Sequence, residues 1–259
     1  MSARERYLPS MTAAQIAALP DKASAPVIVT TGAIEQHGYH LPVAVDALMG
    51  QVWLERIGEA LPDNEPCYIA PPITIGKSNE HVGFPGTLMI SKETLRLQLF
   101  AIARQVSAWG FKQLVVLNTH GGNTSVLIYT LREIEAEYKL RTTFLKHGAK
   151  LEPELSAQEE AYGFHAGELE TSWLLAVAPQ WVKQELAVCE YPARLSDPGE
   201  LRPEAAPATF AWASQDVSAS GVMGDATAAT AEKGERWISQ IVAGYVARIT
   251  ELAAPKSNP

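Results

Sequence analysis

QLVVLNTHGGNTSVLIYTLREIEAEYKLRTTFLK, residues 113–146, holds the clearest apolar run of the chain, QLVVLNT (113–119). A run of that length bounded by turn residues reads as a buried strand. A helix follows over TSVLIYTLREIEAEYKL, begun by Asn123 or Thr124, and RTTFLK (141–146) is strand-like again. Strand, helix and strand in that order imply an α/β layered domain with a largely parallel sheet. Working outward, PVIVTTGA (26–33) reads as a second buried strand. A helix is expected over 46–61, where Leu48, Val52, Leu54, Ile57 and Leu61 recur at helical steps. CYIAPPITIG (67–76) is β-like, but Pro71 and Pro72 suit a sheet edge or a bulge. Ser91 can cap a helix that runs to about Trp109 and stops at Gly110. The Pro-, Ala- and Glu-rich stretch 192–208 reads as a surface loop, and a last helix is expected over 226–253 before a frayed PKSNP tail. No linker, repeat or low-complexity segment divides the chain, so one domain is expected over 1–259.

The 259 residues can bury a substantial core, and 47% hydrophobic with 19% charged residues is ordinary for a globular protein. A formal charge of −8, with no run of lysine or arginine, argues against nucleic acid or an anionic membrane as partner. Cys67 and Cys189 match no zinc or redox spacing and read as reduced core thiols. The start MSARERYLPS has no apolar stretch behind it, and no segment approaches the ~20 apolar residues of a membrane span. A cytoplasmic protein is expected.

Chemistry gathers where strands end. In open α/β sheets ligands bind beyond the carboxyl ends of the strands. EQHGYHLPVAVD (35–46) follows the first strand, and it places Glu35, His37, His40 and Asp46 within one short segment. THGGN follows the strand at 113–119 and adds His120. HAGELETS (165–172) supplies His165, Glu168 and Glu170, and SNEHVGFPGT (78–87) supplies Ser78, Glu80 and His81. Only His147, of six histidines, stands outside these clusters. Imidazoles with carboxylates suit zinc, manganese or ferrous iron, and two ions could share one bridging carboxylate. A G-x-S-x-G elbow, a P-loop and a G-x-G-x-x-G pattern are all absent, which leaves nucleophilic serine and nucleotide chemistry without support.

In order along the chain, E-Q-H-G-x-H-L-P with Asp46, N-T-H-G-G-N, H-A-G-E-L-E-T-S and G-V-M-G-D-A-T-A-A-T-A-E-K-G resemble the creatininase (creatinine amidohydrolase) family, from about Val27 to Gly234. The resemblance implies a three-layer α/β/α fold, a two-metal hydrolytic site with two divalent ions per chain, and commonly a homohexamer. It makes Glu35, His37, Asp46, His120 and Glu170 the metal ligands, with Asp46 as the bridge and Glu170 preferred to Glu168. It makes His165, placed where a helix should begin, the acid–base residue serving the leaving nitrogen. His40 either orients a ligand or packs against Pro42. Ser78, His81 and Gly122 are the expected substrate contacts. Trp181 and Trp212, in exposed-looking segments, suit an oligomer.

Two departures turn the expectation away from creatinine itself. Creatininases carry a glutamate two residues after the second motif's histidine, where this chain has Gly122. They also close a tryptophan-bearing loop over the substrate, whereas GAKLEPELSAQEEAYG (148–163) has only Tyr162. The expected activity is metal-dependent hydrolysis of a non-peptide C–N bond in a small cyclic amide or formamide. The alternatives are a peptidase of a cofactor-maturation pathway and a non-catalytic metal- or metabolite-binding protein.

Overall fold

The computed structural model describes residues 1–192, 199 and 211–254. The expected loop over 192–208 and the PKSNP tail therefore lie almost wholly outside the described residues. Two short helices, α1 (Ala3–Arg6) and α2 (Ala13–Ala18), open the chain, each begun by a capping box. Strand β1 (Pro26–Thr31) is buried throughout and is followed by α3 (Val45–Ala60). Then come β2 (Tyr68–Ile69), α4 (Lys92–Ala108), β3 (Gln113–Asn118), α5 (Thr124–Tyr138) and β4 (Arg141–Leu145). The last part holds α6 (Ala157–Tyr162), α7 (Glu168–Val177), β5 (Cys189–Glu190), α8 (Ser214–Val217), β6 (Gly224–Asp225) and α9 (Ala231–Ala253).

Strands β2, β1, β3 and β4 pair in that order, all parallel. Their side chains alternate between two apolar layers, as the pleat requires. Val27, Val29, Leu114 and Val116 pack with Leu95 and Leu99 of α4 and Leu127 and Ile134 of α5. Ile28, Val115 and Leu117 pack with Met49 and Trp53 of α3, Leu174 of α7 and Ile241 and Tyr245 of α9. The result is a three-layer α/β/α sandwich.

Several elements differ from the sequence reading for local reasons. Pro71 and Pro72 offer no N–H to the ladder, so β2 stops at Ile69 and the chain touches the sheet again only where Ile73 bridges Thr31. Ser91 does cap α4, accepting the Thr94 N–H at 3.1 Å. Helix α9 starts five residues later than expected: Asp225 first caps a short 3₁₀ turn, Ala226–Ala228, and Thr230 then caps the helix proper. Cys67 is buried, which pushes its thiol up to about 12. Cys189 is exposed and so is not a core thiol: it stands on the open side of the two-residue strand β5. Among the described residues no helix is long and apolar enough to cross a membrane.

Candidate metal centre

The register of β1 and β3 sets Thr31 opposite Asn118, so both strands end together. Their following segments emerge side by side, Glu35–His37 from one and His120 from the other. Helix α3 then runs close over the end of β1: a Cβ on Gly32 would meet the Asp46 carbonyl at 2.9 Å and the Ala47 Cα at 3.0 Å. Only glycine permits that approach, which brings Asp46, in the first turn of α3, over the strand ends. Glu170 enters from the first turn of α7. Both carboxylates thus sit at helix N-termini, where the helix dipole favours an anion.

Asp46 turns its two oxygens in different directions. Oδ1 lies 3.7 Å from His37 Nε2, and Oδ2 lies 3.6 Å from His120 Nδ1. On the first side Glu170 Oε2 is 3.7 Å from His37 Nε2. On the second Glu35 Oε1 is 3.2 Å from His120 Nδ1 and 3.3 Å from His81 Nε2. His37 donates its Nδ1 proton to the Glu35 carbonyl at 3.0 Å, leaving the Nε2 lone pair aimed inward. His37 Nε2, Glu35 Oε2 and Asp46 Oδ2 are buried without a hydrogen-bond partner. Such convergence of orphaned acceptors is costly unless something positive lies among them. Glu35, Asp46 and His120 form one set able to hold an ion, and His37, Asp46 and Glu170 another.

The electrostatics agree. Burial, with the Glu35 charge beside it, pushes the Asp46 carboxyl well up, and burial likewise raises Glu170. Burial works against the Glu35 anion too, but the imidazoles of His120 and His81 outweigh it and hold that carboxyl well below its usual range. His120 is buried, yet Glu35, Glu80 and Asp46 keep its pKa well above normal. His37 is driven down to about 4 by burial. Without a cation, protons must neutralise this cluster, and a divalent ion would displace them.

Each expected residue has a definite place. Glu168 points away from the centre, its Oε1 2.5 Å from Lys233 Nζ, so Glu170 is the carboxylate of that motif that reaches His37. His40 lies outside both sets; its Nε2 is 2.8 Å from Thr171 Oγ1, next to Glu170, and ties the segment to α7. His165 stands just ahead of the helix expected here, which Gly167 caps and Glu168 begins. It forms a β-bridge with Met223, three residues before α7 begins, because its peptide pairs both ways with that residue. Its Nε2–H donates to the Gln36 carbonyl at 2.7 Å, so Nδ1, 3.8 Å from Glu35 Oε1, faces the centre as an acceptor. Burial, then the neighbouring His37 and His81, lowers it to about 3.

The centre opens into a cavity of about 350 Å³ walled by Lys77, Glu80, His81, Gly122, His165 and Trp212 among others. Ser78 is not in that wall; it lies behind His120, 3.4 Å from Nε2. Trp212 is half-buried and meets Phe164 edge to face at 5.7 Å, so it lines the cavity and is not a free surface ring. Trp181 is exposed as expected. His147 joins a second, smaller cavity, about 200 Å³, that shares Asp46 and Glu170 as a wall.

The loop carrying His165 is held from outside. Buried Glu159 accepts the Glu168 N–H at 2.8 Å, the Asp225 N–H at 2.9 Å and the Tyr191 hydroxyl at 2.8 Å. A Cβ on Gly163, Gly167 or Gly224 would strike this glutamate. Between them Ala166 takes a left-handed φ of 55°, its N–H held by Glu170 Oε2 at 2.7 Å.

The model of the creatininase family (creatinine amidohydrolase) matches residues 9–249. The chain belongs to the creatininase family. It is similar to the mycofactocin precursor peptide peptidase of Mycolicibacterium smegmatis, 36% identical over 86% of this chain and 83% of that one. The creatinine amidohydrolase of Pseudomonas putida is 27% identical over 88% of this chain and 90% of that one. Among solved structures, "Creatininase Mn" superposes with a TM-score of 0.78 at 23% identity, covering 96% of this chain and 99% of that one. This creatininase-family chain is therefore a hydrolase by family, with the fold of creatininase.

Proposed function

We propose that this chain is a two-metal amide hydrolase and that its substrate is a peptide. The observation that carries the metal part is Asp46, whose two oxygens address two separate imidazoles beside orphaned, buried acceptors. Glu35, Asp46 and His120 would hold one ion and His37, Asp46 and Glu170 the other. Zinc, manganese and ferrous iron all suit this nitrogen–oxygen set. Such ions supply Lewis acidity toward a carbonyl oxygen and lower the pKa of water.

The chain's own residues do the rest. The cavity wall seats the amide, and His165, its tautomer fixed by the Gln36 carbonyl, presents Nδ1 as the proton carrier. That nitrogen can take a proton from the attacking water and pass it to the departing nitrogen.

The sequence alone favoured a non-peptide C–N bond. The peptide reading moves ahead because a relative 36% identical over most of the chain is named a peptide peptidase. A cyclic amide remains the second reading, favoured by the likeness to creatinine amidohydrolase.

The test is purification with metal quantification, then assay against short peptides, lactams, hydantoins, creatinine and formamidopyrimidines. Two equivalents of metal with peptide cleavage is expected. Metal with turnover only of ring amides replaces the substrate reading, and tight ligand binding without any hydrolysis overturns the enzyme.

A further inference from the structure

One carboxylate in the cavity wall has no part in the chemistry above. Glu80 stands in the 3₁₀ turn Asn79–His81, with Oε1 3.3 Å from His120 Nε2. Its Oε2 is buried without a hydrogen-bond partner and has Lys77 Nζ at 3.7 Å. The same edge of His120 faces the Lys77 carbonyl at 3.0 Å and Ser78 Oγ at 3.4 Å. The imidazole is therefore ringed by acceptors on Nε2, one of them a charged carboxylate, which leaves Nδ1 to address Glu35 and Asp46.

Gly122 makes the room. A Cβ there would fall on the Glu80 carboxylate and would also crowd His120 Nε2 and the Lys77 carbonyl. Glycine at 122 and a carboxylate reaching in from 80 are two halves of one arrangement. The imidazole of the other metal position is treated differently: His37 is oriented by a neutral peptide carbonyl, that of Glu35.

We propose that Glu80 is a positioning residue for one metal position only: its carboxylate orients the His120 ring and makes Nδ1 a stronger donor, and so makes the Glu35–Asp46–His120 position the tighter of the two. This rests on the metal-centre reading given above. Carboxylates behind ligating histidines typically change metal affinity by roughly 10- to 100-fold when removed.

The test is titration of chelator-stripped protein with zinc or manganese against a competing chromophoric chelator. Wild type is expected to take two equivalents. Glu80→Gln should weaken one equivalent by about 10- to 100-fold and leave the other at its wild-type affinity. Gly122→Ala, which displaces the Glu80 carboxylate, should do the same. Glu93→Gln, an equal change of charge on the exposed face of α4, should alter neither. Two equivalents at wild-type affinity in both Glu80→Gln and Glu80→Ala, or equal weakening of both equivalents, would overturn the proposal. A wild-type protein that binds no metal overturns the metal-centre reading instead.

Discussion

Asp46 faces His37 with one oxygen and His120 with the other, so its removal should act on both halves of the centre. Asp46→Ala is expected to lose both metal equivalents, measured by elemental analysis after dialysis. One full equivalent kept at wild-type affinity would show that the carboxylate is not shared. His165 calls for the opposite result. Its Nε2 is committed to a backbone carbonyl and its Nδ1 faces the cavity, so His165→Ala should keep metal while kcat falls by roughly 10² to 10⁴. A metal-depleted His165→Ala protein would make the residue a ligand, a role its distance to Glu35 and His37 also permits. His40 gives a pH signature. Burial lowers its pKa from 6.5 to about 4, so the unfolded chain binds the proton first as pH falls. The stability it contributes is present above about 6.5 and is lost as pH drops through about 4. His40→Gln should therefore destabilise the metal-free protein most at neutral pH, with the difference in urea midpoint shrinking toward pH 4.

At the scale of elements, the centre depends on how α7 meets α9. A Cβ on Gly234 of α9 would fall on the Ser172 carbonyl of α7, a backbone group that cannot rotate aside. Gly234→Ala is expected to cost roughly 1–3 kcal/mol, read from the urea midpoint, and to weaken the metal position that includes Glu170. A variant as stable as wild type would show that the two helices have slack. The same scale explains what was legible in the sequence. β1 and β3 were readable because buried parallel strands are apolar on both faces, and the edge strand β4, buried only at Leu145, was readable from its β-branched Thr142 and Thr143 and its place after a helix. Glu35, His37, Asp46 and His120 were readable because short segments after strand ends converge whatever the loops do. Glu80 was visible beside His81 in S-N-E-H, but nothing local says that it reaches across to His120. Likewise the contact of Trp212 with Phe164, and the cavity that His147 shares with Asp46, depend on segments far apart in the chain. The helix that begins in HAGELETS was readable too, but the bridge of His165 to Met223, 58 residues away, is a pairing no local pattern records.

At the scale of the whole molecule, the homohexamer is a proposal that rests on the family resemblance. The described surface leaves Leu97, Ile128, Tyr129 and Trp181 exposed, apolar side chains that a partner could cover. Sedimentation at micromolar concentration is expected to give an oligomer, and a monomer would overturn it. The grip of Glu159 on the Glu168 and Asp225 amides has a further consequence, for the rate at which this part of the chain opens. One buried carboxylate joins α7 to the β5–β6 pair through Tyr191 and Asp225, so these segments should open to solvent together, as one cooperative unit. In amide hydrogen exchange, Glu159→Gln should deprotect Glu168 and Asp225 by a common factor while Val115–Leu117 of β3 exchange as slowly as before. Unequal factors at the two amides would mean that they open separately. A common factor would place control over the lifetime of the His165 loop in a residue that touches neither metal position.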